Sequence, residues 1–289
     1  MRCGSAVDHD TEDLLRRSFP ALEFREVRVV EDGWDSLVLE LDAEWIVRFP
    51  RRAEVEGRIE REILLLPILA GALPIAVPSI EFVARDGVVC VAYRKLVGSP
   101  ASLGIRALAG EDIGCFLATL HRFPVEPARV IGVPCFDPAA WRERFASLCD
   151  NFRRRVYPLL RPGERVRAEA VFARVPELGF VPVLLHGDLG PEHVICRDGR
   201  VVGVIDWSDA RVGDAALDLA WCLNGAPPDV VEAVARTYGV EAEVRERSLF
   251  YHQLGPWYEV VYGLETAQRR FVTSGLEGVR RRLWTSPRR

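Results

Sequence analysis

The sequence predicts an α+β fold in two lobes, a small β-rich N-terminal lobe followed by a larger, mostly helical C-terminal one. Three observations carry that expectation. Short β-type runs separated by turn dipeptides fill residues 26–93, helical periodicity takes over beyond Gly98-Ser99-Pro100, and 289 residues suffice for two packed units around a cleft. The lobes are expected at 1–97 and 98–289, with a hinge at about 93–98.

Within the first lobe, residues 27–30, 37–41 and 45–49 are β-rich runs punctuated by Asp32-Gly33 and Asp42-Ala43, the pattern of three short strands. Residues 54–69 carry Val55, Ile59, Ile63 and Leu66 on one face of an amphipathic helix. Residues 80–84 and 88–93 return to strand character, with Asp86-Gly87 as the hairpin turn between them. In the second lobe, helices are expected over 111–122, 139–160 and 163–173 and from 215 to the end, interrupted by a β-type segment over 181–205.

Composition narrows the function classes. With 28% charged residues and a net charge of −4, the chain reads as an ordinary globular protein without the concentrated positive footprint that nucleic acid or an anionic membrane demands. Residues 1–10 lack the apolar core of a secretory signal. The uncharged run over 63–79 contains Pro67, Pro74 and Pro78, so it reads as a buried helix followed by a loop and not as a membrane span. Seven cysteines at irregular spacing, with no C-x-x-C pair, fit a reducing cytoplasm and neither a disulfide framework nor a zinc site. A cytoplasmic protein with no nucleic-acid or membrane partner is therefore expected, and no oligomeric partner is predicted. Lys95 is the only lysine in the chain.

Polar residues concentrate on an apolar background between Val183 and Asp218. His186 and Asp188 follow an apolar strand, and His193 opens the next one after four intervening residues. Asp198-Gly199 is a hairpin turn, and residues 201–205 return to place Asp206 at a strand end. The hairpin folds Asp206 back beside His193 and Asp188. Phosphoryl transfer needs such a set: one carboxylate to orient and deprotonate a hydroxyl, and hard ligands for Mg²⁺. Taken singly, Asp188 or Asp206 also fits a turn cap or a strand end.

His186-Gly187-Asp188, with His193 four residues beyond, resembles the catalytic loop of the aminoglycoside and macrolide phosphotransferases, a family related to the protein kinases. Ile205-Asp206-Trp207 stands where protein kinases carry D-F-G. The resemblance implies a protein-kinase-like fold, Asp188 as catalytic base, and His193 and Asp206 as Mg²⁺ ligands, with His193 replacing the asparagine of protein kinases. It implies ATP or GTP as phosphate donor. His186 is assigned to fixing the loop, and Asp214 and Asp218 to capping the next helix and bracing that loop.

In the first lobe, Glu31-Asp32-Gly33-Trp34-Asp35-Ser36 resembles the family's phosphate-covering turn, which sets Gly33 and Ser36 against the nucleotide. Trp45-Ile46-Val47-Arg48-Phe49 stands in place of V-A-I-K, so the phosphate-clamping cation falls to Arg48, with Arg51 in competition. The resemblance implies Glu62 as its acidic partner, with Glu60 and Glu56 as rivals. Tyr93, Arg94, Lys95 and Leu96 are expected to form the nucleotide-binding hinge.

For the acceptor, the resemblance implies a cationic small-molecule antibiotic, an aminoglycoside ahead of a macrolide or a cyclic peptide. Trp257, Tyr258, Glu259 and Tyr262, with Tyr251 and Glu265, mix aromatic faces and carboxylates, and Glu192 and Asp209 belong to the catalytic segment. Together they are the candidate contacts. The tyrosines fall near one helical stripe, so core packing is the competing reading. A metabolic kinase of choline or sugar type and a nucleotide-binding pseudokinase are the alternatives.

Overall fold

The computed structural model describes residues 9–32, 35–85, 87–175 and 179–285. It opens with a helix that sequence pattern did not reveal, α1 (His9–Ser18), whose Leu15 is fully buried among the apolar residues of the N-terminal sheet. Then follow β1 (Val27–Asp32), β2 (Ser36–Leu41), β3 (Trp45–Pro50), α2 (Ala53–Ala70), β4 (Ile80–Ala84) and β5 (Cys90–Arg94). The five strands form one antiparallel sheet in the order β1-β2-β3-β5-β4.

Strand alternation divides this sheet into two faces. Leu39, Leu41, Val47 and Ala92 are buried on one face, in the cluster that contains Leu15 and Phe19. Val38, Glu40, Ile46, Arg48 and Tyr93 occupy the other, which walls a cleft. On α2, Val55, Ile59, Leu66 and Leu69 form the buried row, and Glu62 falls within it. Leu65, Leu66 and Leu69 belong to the hydrophobic core of the second lobe, so α2 fastens the two lobes together.

The second lobe runs β6 (Ser99–Pro100), α3 (Ala107–Arg122), α4 (Val125–Val130), α5 (Pro138–Arg155), α6 (Pro162–Phe172), β7 (Val183–Leu185), β8 (Val194–Arg197), β9 (Arg200–Val204), β10 (Arg211–Gly213), α7 (Leu219–Asn224), α8 (Pro228–Tyr238), α9 (Ala242–Glu265) and α10 (Arg269–Arg282). Helix α5 starts sharply because Asp137 accepts the Ala140 N–H at 2.8 Å and Pro138 needs no amide partner at the first turn. It ends five residues short of the expected Leu160. Pro158 has no N–H to continue the ladder, and only a 3-10 turn follows, at Tyr157–Leu159. The expected β-type segment separates into β7, a loop, and the β8–β9 hairpin, to which β6 adds. Strand β7 pairs with β10, which sequence pattern did not disclose. Among the described residues, no helix is long and apolar enough to cross a membrane.

Candidate active site

A cleft of about 710 Å³ opens between the N-terminal sheet and the β8–β9 hairpin. Its floor is set by the loop after β7. Gly187 holds φ +88°, and a Cβ there would come within 2.1 Å of the Asp209 carbonyl oxygen, so only glycine lets the two loops approach this closely. Asp218, fully buried, accepts the backbone N–H groups of His186 at 2.8 Å and Gly187 at 2.9 Å, and lies 3.2 Å from His121 Nε2. Although it occupies the N-cap position of α7, its carboxylate makes no capping bond there and turns back to brace the loop after β7. Asp214 accepts from Ala216 N and is gripped by Arg247 at 2.8 and 3.2 Å and by the Tyr251 hydroxyl at 2.8 Å.

His186 is buried and bridges the two halves of the site. Its Nε2 donates to the Ile205 carbonyl at 3.0 Å, and its Nδ1 accepts the Asp188 N–H at 3.3 Å. Burial lowers its pKa, which suits this neutral tautomer. The Asp188 carboxylate is left facing the cleft, with 64% of its side chain open to solvent. Desolvation by the cleft walls, then repulsion from Asp209, Asp206 and Glu192, outweighs the pull of His193 and raises its pKa to about 6. His193 donates from Nδ1 to the Asp188 carbonyl at 2.7 Å, which leaves Nε2 3.8 Å from Asp206 Oδ2. Burial opposes the charged imidazole, but Asp206 and Asp188 hold its pKa above the ordinary value. Asp206 itself sits at φ +63°, a strained conformation for a residue with a side chain. Burial works against its charge, yet Arg48 and His193 bring its pKa down to about 2.

On the opposite wall, Arg48 extends from β3 to Glu62 on α2, its Nη1 donating to both carboxylate oxygens at 3.0 and 2.9 Å. The same guanidinium lies 3.3 Å from Asp206 and 2.5 Å from the Ser208 hydroxyl, which donates in turn to Glu62 at 3.2 Å. Arg48 is 5% exposed and Glu62 2%. Burial disfavours the Arg48 charge, but Glu62 and Asp206 hold its pKa above the ordinary value; burial raises that of Glu62 against the opposing Arg48 charge. Arg51 is exposed, and Glu60 pairs with Arg85 on the surface. Ser36 lines the cleft with a buried hydroxyl that has no hydrogen-bond partner among the described residues. Lys95 and Leu96 line it as well, and Lys95 Nζ donates to Glu40. Gly33 lies outside the described residues.

Several expected residues are placed elsewhere. Arg94 falls on the outer face by strand alternation, stacking 3.9 Å over Trp45 and pairing with Glu44 at 2.7 Å. Trp257 is fully buried against Phe152 and Phe172 and is a core residue. Tyr251 is buried too, accepting from Trp141 Nε1 at 2.8 Å. Glu259 accepts from Ser274 on α10, Tyr262 packs on Phe271, and Glu265 pairs with Arg155. Tyr258 is half-exposed and turns toward Arg144 and Arg211. Glu192 and Asp209 do line the cleft, but the Asp209 carboxylate is taken by Arg211 at 2.5 Å and Arg58 at 3.5 Å. Sequence reasoning passed over Ser208, although it follows Asp206-Trp207 directly. Leu120-His121-Arg122-Phe123-Pro124 resembles the family's inter-lobe helix end, but nothing in the sequence tied His121 to Asp218, 97 residues away.

Among the described residues, no group of three or more His, Cys, Asp or Glu side chains gathers as a self-sufficient metal site. Asp206 with His193 is a two-donor set. That fits Mg²⁺, which is commonly held by one or two protein side chains together with substrate phosphates and waters.

A family model described as "Phosphotransferase enzyme family" matches residues 26–251. An uncharacterized protein of Bacillus subtilis (strain 168), YcbJ, is 30% identical over 195 residues, which cover 60% of this chain and 60% of that protein. The chain thus spans less than two thirds of that relative's length. An aminoglycoside 3′-phosphotransferase of Escherichia coli is 28% identical over 67% of this chain and 73% of its own. Among solved structures, the GDP and kanamycin complex of an aminoglycoside phosphotransferase superposes with a TM-score of 0.84 at 21% identity, covering 95% of this chain and 98% of that one.

Proposed function

The chain belongs to the phosphotransferase enzyme family, and from that premise we propose that it moves the γ-phosphoryl group of ATP or GTP to a hydroxyl of a small molecule. The observation that carries the proposal is the convergence of an open carboxylate, Asp188, with the His193–Asp206 pair and the Arg48–Glu62 clamp on one cleft. Asp188 orients the acceptor hydroxyl and takes its proton as the oxygen attacks phosphorus. Arg48, held by Glu62 on Nη1 and by Asp206 and Ser208 on Nη2, sets its positive charge in the cleft wall facing the phosphates. The unpartnered Ser36 hydroxyl donates to the same group. His193 and Asp206 would hold Mg²⁺, which when bound spreads the charge of the phosphate oxygens. His186 keeps the Asp188 loop and the Asp206 strand end in register through its two hydrogen bonds.

The pseudokinase alternative finds no support in this geometry, since base, clamp and metal positions are all occupied by competent side chains. An aminoglycoside acceptor is suggested by the relatives and not by α9, where Trp257, Glu259 and Tyr262 engage their own lobe. The arginines around Asp209 suit an anionic acceptor better than a polycationic antibiotic or choline. Asp188→Asn tests the mechanism. Phosphoryl transfer should fall by about 10²–10⁴ with nucleotide affinity retained. A variant that kept most of its turnover would sink the assignment.

A further inference from the structure

We propose that the acceptor carries an oxyanion, a carboxylate or a phosphate, and that Arg144 and Arg211 hold that group beside the catalytic loop. The inference rests on the kinase reading above and narrows its acceptor.

Arg211 opens β10. Its Nε lies 3.0 Å from the point a Cβ on Gly187 would occupy, one residue from the base Asp188. It donates to the Asp209 carbonyl at 2.8 Å and to the Asp209 carboxylate at 2.5 Å. Arg58 reaches that carboxylate from α2 at 3.5 Å, so one negative charge is shared by two guanidiniums from opposite lobes. Arg58 in turn shares Asp35 with Arg52. Arg144 joins from α5. Its guanidinium sits 5.4 Å from the Phe136 ring centroid, and the Phe136 N–H donates to Val212, the neighbour of Arg211.

Neither Arg144 nor Arg61, one turn beyond Arg58, has an ion-pair partner among the described residues. Partial desolvation and the nearby guanidiniums work against both charges, Arg211 and Arg58 at Arg144 and Arg58 at Arg61, with Asp209 pulling the other way on each. Neighbouring like charges destabilise one another, and an anion bound among them offsets that repulsion. Arginine binds oxyanions through parallel N–H bonds, whereas a polycation approaching Asp188 from this side meets a surplus of positive charge.

Acceptor pairs that differ chiefly in the anion test the proposal: D-glycerate against glycerol, L-serine against ethanolamine, and glucose 6-phosphate against glucose, with kanamycin as the polycation. Binding to the full chain is measured by calorimetry with Mg²⁺ and a non-hydrolysable ATP or GTP analogue, and turnover is followed separately with ATP and GTP. At least one anion-bearing probe should bind about tenfold or more tightly than its partner. Arg144→Gln, on an exposed side chain, should reduce that ratio to about threefold or less, with Arg144→Lys in between. The carboxylate and phosphate pairs separate the two sources of the oxyanion. Three results overturn the proposal: no pair preferring the anion, kanamycin binding more tightly than every anionic probe, or a ratio unmoved in both Arg144→Gln and Arg211→Gln. A bound anionic probe that is never phosphorylated defeats the kinase reading and leaves the anion site standing. Phosphorylation of kanamycin alone does the reverse.

Discussion

Replacing Arg48 by methionine removes the counter-charge from Glu62, a carboxylate that is 2% exposed and, among the described residues, otherwise accepts only from the Trp207 N–H at 3.4 Å and the Ser208 hydroxyl at 3.2 Å. Breaking a buried pair by deleting one partner costs about 3–5 kcal/mol, because the other charge stays buried without compensation. For a domain whose total stability is of order 5–15 kcal/mol, that is a large fraction. The deficit has a pH signature. Burial already raises the Glu62 pKa above 4.5, and loss of Arg48 removes the main opposing charge. A carboxyl group with a folded pKa above its unfolded one binds its proton more tightly in the folded state. The variant's stability is therefore lost as pH rises through the window between the two, by up to about 1.4 kcal/mol per unit. Urea unfolding at pH 5 and pH 8 should show a small deficit in acid and the full one at pH 8. Adding Glu62→Gln to the variant should restore stability at pH 8 by removing the orphaned charge. A deficit below about 1 kcal/mol at pH 8, or one equal at both pH values, would refute the reasoning.

Three further outcomes are expected. The kcat/KM of the wild-type enzyme should lose its base limb as pH falls through about 6, the value to which the cleft raises Asp188; a profile flat from pH 5 to 8 contradicts the assignment. Gly187→Ala drives a Cβ into the Asp209 carbonyl at φ +88° and should cost about 1–3 kcal/mol with at least a tenfold fall in kcat, read by thermal unfolding and initial rates. Trp257→Ala opens a core cavity and should destabilise by about 3–5 kcal/mol with the acceptor KM unchanged, so a selective rise in that KM would return Trp257 to the acceptor site.

The sheet was legible because its strands obey a period of two over five or six residues, long enough for core and cleft faces to separate. Glu62 came from the family resemblance, with Glu60 and Glu56 as rivals, and it sits in the buried row of α2. The same alternation, applied one residue further, puts Arg94 on the outer face against Trp45, which composition near a hinge could not foretell. Strand β10 has three residues, too few to show a period, and its pairing with β7 joins positions 26 to 30 residues apart. Trp257 and Tyr258 were adjacent letters with equal claims, and only the packing of α5, α6 and α9 sends one into the core and leaves the other half-exposed. Arg58, Arg144 and Arg211 lie on three elements separated by scores of residues. In sequence, each was indistinguishable from an ordinary solvated basic side chain.

Lys95 is the single ε-amine of the 289 residues, and it lines the cleft with 34% of its side chain exposed, its Nζ on Glu40. The chain is thereby chemically addressable without engineering. An amine-directed acylating reagent has one side chain to modify, and digestion after lysine yields one internal cut. The extent of labelling at Lys95 with and without nucleotide becomes a direct gauge of cleft occupancy, usable on an enzyme whose acceptor is still being sought.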